Sequence, residues 1–157
     1  MTDESALYVW NDPDDLLRSL GALSSEDRES LRDAVAKLLA HSDPDVREEA
    51  FRALFVKWKE RQLRELALRA MDADVAPEVR AVAAFAVAAT SDDHSRPTDT
   101  RILIAKLEDP EELPLVKAAV YDGLLILHRR STFPSKAGTF DPSVDIDWNW
   151  VFELKRE

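Results

Sequence analysis

The sequence predicts an all-α fold, an α-solenoid of about three helix pairs with non-repeat N- and C-terminal segments packed on the stack, and three observations predict it. A proline-marked turn, then Val-Arg or Val-Lys, then a small-residue helix recurs as Asp43-Pro44-Asp45-Val46-Arg47, Ala76-Pro77-Glu78-Val79-Arg80 and Leu113-Pro114-Leu115-Val116-Lys117. The valines lie 33 and 37 residues apart, a period at which each helical unit hides its remaining apolar face against the next. Between the turns, apolar residues fall three and four apart, as amphipathic helices require. Alanines at 50, 53, 83, 84, 86 and 119 allow close approach of helix axes. The 157 residues read as one domain: 1–23 an N-terminal segment and first helix, 24–130 the repeats, 131–157 an aromatic C-terminal tail.

The elements follow in order. Asp12-Pro13 places a cap before a proline at the first helical position, and Leu16, Leu17 and Leu20 continue at helical spacing. Ser24 and Asp27 resemble a capping box, after which Leu31, Ala34, Val35, Leu38 and Leu39 form the stripe of a second helix. Asp43-Pro44 opens a third, with Val46, Ala50, Ala53 and Leu54 on one face through about Trp58. The apolar phase slips between Trp58 and Leu63, which predicts a turn near 59–61 or, in its place, one long bent helix. Leu63, Leu66, Ala67, Ala70 and Met71 make a fourth helix that ends at Asp72-Ala73-Asp74. From Val79 to Ala89 the fifth has Arg80 as its only charge and is expected to be the most enclosed. A polar loop at 91–97 precedes a shorter sixth helix on Leu103 and Leu107, and the seventh runs from the Pro110–Pro114 turn to about Arg130.

Composition sets outer limits. At this length roughly 70% of the unfolded surface can be buried, so no covalent staple is needed. Cysteine is absent, which excludes a disulfide frame, a thiolate metal site and a cysteine nucleophile, and suits a reducing compartment. The start Met1-Thr2-Asp3-Glu4 is acidic where a secretory signal is basic, and no run approaches the ~18 apolar residues of a membrane span. The expected location is cytoplasmic, with no membrane contact. Thirty-one acids against 21 bases give a net charge of −10, which repels phosphate backbones and favours a basic partner. Within this acidic chain one basic island, net +4 over residues 50–71, holds Arg52, Lys57, Lys59, Arg61, Arg64 and Arg69.

The recurring motif resembles HEAT repeats, particularly the short bacterial kind also found in phycobilin lyase subunits. The matching residues are Leu38-Leu39 through Asp43-Pro44 to Val46-Arg47, Leu66 and Met71 through Asp74 and Pro77 to Val79-Arg80, and Leu103 and Leu107 through Asp109-Pro110 to Val116-Lys117. The third copy has Lys for Arg and extra residues between its prolines. The resemblance implies a superhelical stack that binds proteins, with Asp43, Arg47, Asp74, Arg80 and Lys117 laddering between repeats in a structural role. It also implies that the second helix of each pair lines a concave face. Aligned on their valines, the outward columns read Glu48, Arg52, Phe55, Lys59; then Ala81, Phe85, Ala88, Asp92; then Ala118, Asp122, Leu125, Arg129. An apolar strip rimmed by charge suits protein recognition, so Arg52, Phe55, Lys59, Phe85, Tyr121, Asp122, Leu125 and Arg129 are the expected partner-binding residues.

The tail offers a competing use for that face. Val144, Ile146, Trp148, Trp150 and Phe152 recur with period two, which fits a strand, one that could pair with Ala6–Trp10, or a short helix from Asp147 onward. Either form buries aromatics somewhere, and covering an end of the stack is expected in preference to recruiting a partner, while a tail lying in the concave groove would displace the partner site.

Catalytic chemistry has little to work with. Asp145-Ile146-Asp147-Trp148-Asn149 begins like a calcium loop, but Trp150 replaces the turn glycine and Arg156 stands where the bidentate Glu belongs. His41, His94 and His128 lack ligand spacing, and Asp92-Asp93-His94 reads as a loop capping the sixth helix. Three glycines supply no phosphate loop. No metal and no cofactor are therefore expected. HEAT-like DNA glycosylases use an aromatic, basic groove and an Asp, which Asp122, Tyr121, Phe85 and the basic island could imitate, yet the net charge opposes nucleic-acid binding. The expected function is non-catalytic binding of another protein. Neutralising a basic toxin as its immunity partner is one form, and an assembly or regulatory subunit like the phycobilin lyase components is the other.

Overall fold

The computed structural model describes residues 12–130 and 139–156, and every regular element among them is helical. Asp12 accepts from the Asp14 amide and Pro13 follows it, so α1 (Pro13–Ala22) begins where the sequence places it and buries Leu16 and Leu20. Ser24 and Asp27 do form a reciprocal box: Asp27 Oδ2 accepts from the Ser24 amide at 2.7 Å, and Ser24 Oγ accepts from the Glu26 amide. Helix α2 (Arg28–Lys37) tightens into a 3₁₀ turn at Leu38–Ala40. Of the expected stripe only Val35 is fully buried, the rest lying half-covered.

Helix α3 (Pro44–Phe51), capped by Asp43, widens into a π-helical stretch over Arg52–Lys57 in which the Trp58 amide bonds Ala53 O, five residues back. The extra residue rotates everything after it, so the phase slip begins inside this helix rather than after Trp58. The chain then turns through Lys59, whose φ of 56° is left-handed, and a 3₁₀ turn at Arg61–Leu63 leads into α4 (Arg64–Ala73). The bent-helix alternative is therefore not what forms.

Helices α5 (Pro77–Thr90), α6 (Arg96–Glu108) and α7 (Pro114–Leu127) follow. Helix α7 stops short of the expected Arg130 because a Schellman closure ends it: Arg129, with φ 54°, donates to Ile126 O and Arg130 donates to Leu125 O. Helix α5 is buried almost all round. It lies between α3 and α7, while α4 packs on α5, α6 on α7, and α1 with the Leu38–Ala40 turn on α3. Val46, Val79 and Val116 are each fully buried at the start of their helices. Small residues permit the closest of these contacts: a Cβ at Gly123 on α7 would lie 3.3 Å from the Ala88 Cβ on α5.

The C-terminal segment is helical, not a strand. Helix α8 (Pro142–Asp145) and helix α9 (Trp148–Leu154) each begin at an Asp whose side chain accepts a backbone amide, Asp141 from Ser143 and Asp147 from Trp150. The proposed strand partner, 6–10, lies outside the described residues. Ile146, Val151 and Leu154 are buried in the common core. Trp150 meets Tyr121 and His128 edge-on at 6.1 and 6.0 Å, and the Asp147 amide donates to Tyr121 Oη. Lys155 pairs with Glu108 of α6 at 2.8 Å. The segment thus covers the flank of α6 and α7.

Candidate functional site

Two sets of side chains define the site: a buried charge ladder that ties the starts of α3 and α5 to the turns before α5 and α7, and a groove that faces of α3, α5 and α7 leave open. In the ladder, Arg47 donates through Nε and Nη2 to both oxygens of Asp74 at 3.0 and 2.8 Å, and through Nη1 to His41 O and Ser42 O. Arg80, at the start of α5, repeats the geometry, donating to Asp74 O and Val75 O and, through Nε and Nη2, to Glu112. Each arginine thereby ties its own turn to the next by bidentate, charge-assisted bonds. Burial works against the charge on Asp74, and the Arg47 hydrogen bonds followed by the Ala76 amide outweigh it, leaving the carboxyl below its usual range. Glu112 shows the same contest more strongly. Its burial is overcome by hydrogen bonds from Arg80, Lys106 and the Leu113 amide, which hold it at about 2.

The third copy departs as its sequence suggests. Glu112, in the extra residues between the two prolines, takes the acid's place instead of Asp109, and Lys117 forms no ion pair with a described residue. Asp43 acts as the cap of α3, accepting from Asp45 at 2.9 Å, with no bond to a neighbouring pair.

The groove has a volume of about 590 Å³ and runs across α3, α5 and α7. The second and sixth positions after each valine all line it: Glu48 and Arg52, Ala81 and Phe85, Ala118 and Asp122. Val56, Val82, Leu115 and Phe140 add apolar wall, and Glu78 stands on the rim. Phe140 comes from the C-terminal segment, a contribution that the repeat alignment does not reveal.

The ninth and thirteenth positions do not belong to it. Phe55 is wholly buried, stacked on Phe51 at 5.5 Å, because the π-helical residue turns it into the core. Leu125 and Ala88 are also buried. Lys59 and Arg129 are exposed but occupy the left-handed turns that end the second helices. Tyr121 faces α9, where Trp150 and the Asp147 amide engage it, and does not line the groove. Of the eight expected residues the structure brings together Arg52, Phe85 and Asp122.

The basic island is dispersed among structural tasks. Arg52 pairs with Glu48 and Glu49, Lys57 donates to Gly21 O and Leu23 O, Arg61 reaches Asp92, and Arg64 pairs with the buried Asp99. The groove wall therefore carries three acids, Glu48, Glu78 and Asp122, against the single base Arg52. Asp122 is half-buried with no hydrogen bond or ion pair to a described residue, and burial pushes its carboxyl up. Among the described residues no three His, Asp or Glu side chains are placed to hold a metal ion. No described helix is long and apolar enough to cross a membrane. Family models, curated proteins and solved structures yield no match to this chain.

Proposed function

We propose that the described helices form a solenoid of three HEAT-like pairs, α2 with α3, α4 with α5 and α6 with α7, and that this solenoid is a non-catalytic module gripping a partner protein in the groove across its second helices. One observation carries the reading: positions equivalent by the repeat alignment, 48 and 52, 81 and 85, 118 and 122, converge on one apolar-walled groove. A surface built from the same two positions of successive units is the kind that repeat proteins present to partners. The acidic wall and the net charge of −10 favour a basic partner and oppose a nucleic-acid backbone. An acidic binder steers onto a basic enzyme and blocks it, so an immunity protein that neutralises a toxin is the form we favour over an assembly subunit.

The test blocks the groove without touching the core. Leu115 is 44% exposed, so Leu115→Arg leaves packing intact while placing a bulky side chain at the mouth. Tagged wild-type protein and this variant are used to capture partners from the source cell, and any partner is purified and titrated calorimetrically against both. The reading expects a complex with wild type that is lost with Leu115→Arg. A partner held equally by both places the binding surface elsewhere, and a salt-sensitive gel shift with DNA removes the protein-binding reading.

A further inference from the structure

Among the described groove side chains Asp122 is a half-buried acid with no hydrogen bond or ion pair to a described residue. Burial beside the apolar wall raises its carboxyl, and no described cation or donor offsets that. Elsewhere in the fold, acids withdrawn from water face cations: Asp74 faces Arg47, Glu112 faces Arg80 and Lys106, Glu60 faces Arg28 and Arg32, and Asp99 faces Arg64, although Asp99 Oδ2 has no hydrogen-bond partner. Arg52, the only base in the groove, is already engaged by Glu48 and Glu49. The charge pattern and the apolar wall together specify an occupant. A cation from outside would recover the electrostatic energy that burial denies Asp122, and apolar groups on either side of it would cover Phe85, Leu115 and Phe140.

Resting on the binding-module reading above, we propose that the groove receives a segment of a partner protein that carries one arginine or lysine between apolar side chains, with the cation seated on Asp122 and Glu78 guarding its approach. A second copy of this chain fits poorly, since its net charge is −10 and like charges would oppose each other across the interface.

The probe is a fluorescein-labelled twelve-residue peptide with one arginine flanked by leucines, compared with the same peptide carrying glutamine for arginine and with one carrying serines for the leucines. Binding to the full chain is read by fluorescence anisotropy, and circular dichroism verifies folding of every variant. The arginine peptide is expected to bind wild type, and Asp122→Asn to weaken it by roughly ten- to a hundredfold without altering the glutamine peptide. Glu78→Gln is expected to weaken the arginine peptide by a few-fold, an effect that salt erases. The serine peptide is expected to bind poorly to every protein. Equal affinity of the arginine and glutamine peptides for wild type, Asp122→Asn binding as wild type does, or no saturable binding of any peptide each overturns the inference. A dimer in sedimentation that Leu115→Arg dissociates also overturns it, by assigning the groove to a second copy. Loss of the natural partner with Leu115→Arg but not with Asp122→Asn would sink the cation while sparing the groove, so the two readings fail separately.

Discussion

Replacing Glu112 by glutamine should be the most costly isosteric change in this protein. The side chain is 3% exposed and neutralises two cations that are themselves largely buried, Arg80 at 2.8 Å and Lys106 at 2.8 Å. Glutamine keeps the shape and one acceptor but removes the carboxylate that pairs with Arg80 and leaves Lys106 only the exposed Asp72 at 3.9 Å, and breaking a buried pair in this way typically costs about 3–5 kcal/mol. The same contacts with Arg80 and Lys106 also set a pH dependence. A carboxyl held at about 2 rather than its ordinary 4.5 corresponds to about 3 kcal/mol of pH-dependent stability. The sign follows from the direction: the folded value is depressed, so the contribution is complete above 4.5, where the unfolded group has also ionised, and disappears as pH falls through about 2. Urea titrations of wild type and Glu112→Gln at a series of pH values isolate this group, because other carboxylates titrate alike in both proteins. The expected gap is about 3 kcal/mol at pH 7, equivalent to about 6–12 °C in Tm for a chain of this size, shrinking steadily below pH 4.5. A gap under about 1 kcal/mol at pH 7, or one that stays constant down to pH 3, would refute the view that Glu112 ties α5 and α6 to the turn before α7 through compensated burial.

Two further substitutions separate what the helices bury from what they present. Phe55→Ala should cost about 3–5 kcal/mol in urea unfolding, as for a fully buried phenylalanine in contact with Phe51; a change below about 1 kcal/mol would return Phe55 to the surface. Lys59→Gly and Arg129→Gly should each raise stability by about 0.5–1 kcal/mol, since both side chains occupy left-handed backbone at φ 56° and 54° that glycine adopts without a Cβ penalty; destabilisation by either would show that its side chain contributes more than the backbone strain it imposes.

Much of the helical order is legible because the signals are local. Asp12-Pro13 and Asp43-Pro44 each supply an acceptor for an orphan amide and a residue whose ring fixes φ, so the helix start is written in two positions. The Arg47–Asp74 bond joins the first two copies of the motif, whose valines lie 33 residues apart. Where spacing changes, legibility fails: the lengthened third turn hands the acid's role to Glu112, which no alignment of the copies singles out. Phe55 is misplaced for a different reason. A π-helical residue leaves no glycine or proline to mark it, and its effect is a rotation that appears only when Phe51, Phe55 and Trp58 are seen to share one core. The tail fails by ambiguity, because alternation from Val144 to Phe152 suits a strand, while the buried pair Val151 and Leu154, three apart, suits the helix that Asp147 caps. The unsatisfied state of Asp122 is a property of three dimensions and has no sequence signal.

Groove and tail are coupled through adjacent residues of α7. Successive positions on a helix point about 100° apart, so Tyr121 and Asp122 address different neighbours: Tyr121 meets Trp150 and the Asp147 amide, and Asp122 enters the groove. In the three-pair arrangement we propose, α6 and α7 form the last pair among the described residues. Lys117, at the ladder position, forms no ion pair with a described residue. In such an arrangement the flank of α7 turned away from α5 is apolar and needs cover. Helices α8 and α9 supply that cover with Ile146, Val151 and Leu154, and Arg130 lies 4.5 Å over the Trp150 ring to hold it against α7. The same segment then sends Phe140 into the groove. Phe140 of the groove wall therefore belongs to the same C-terminal segment that covers α7, and under the binding-module proposal an occupant pressing on Phe140 would work against the packing of that segment.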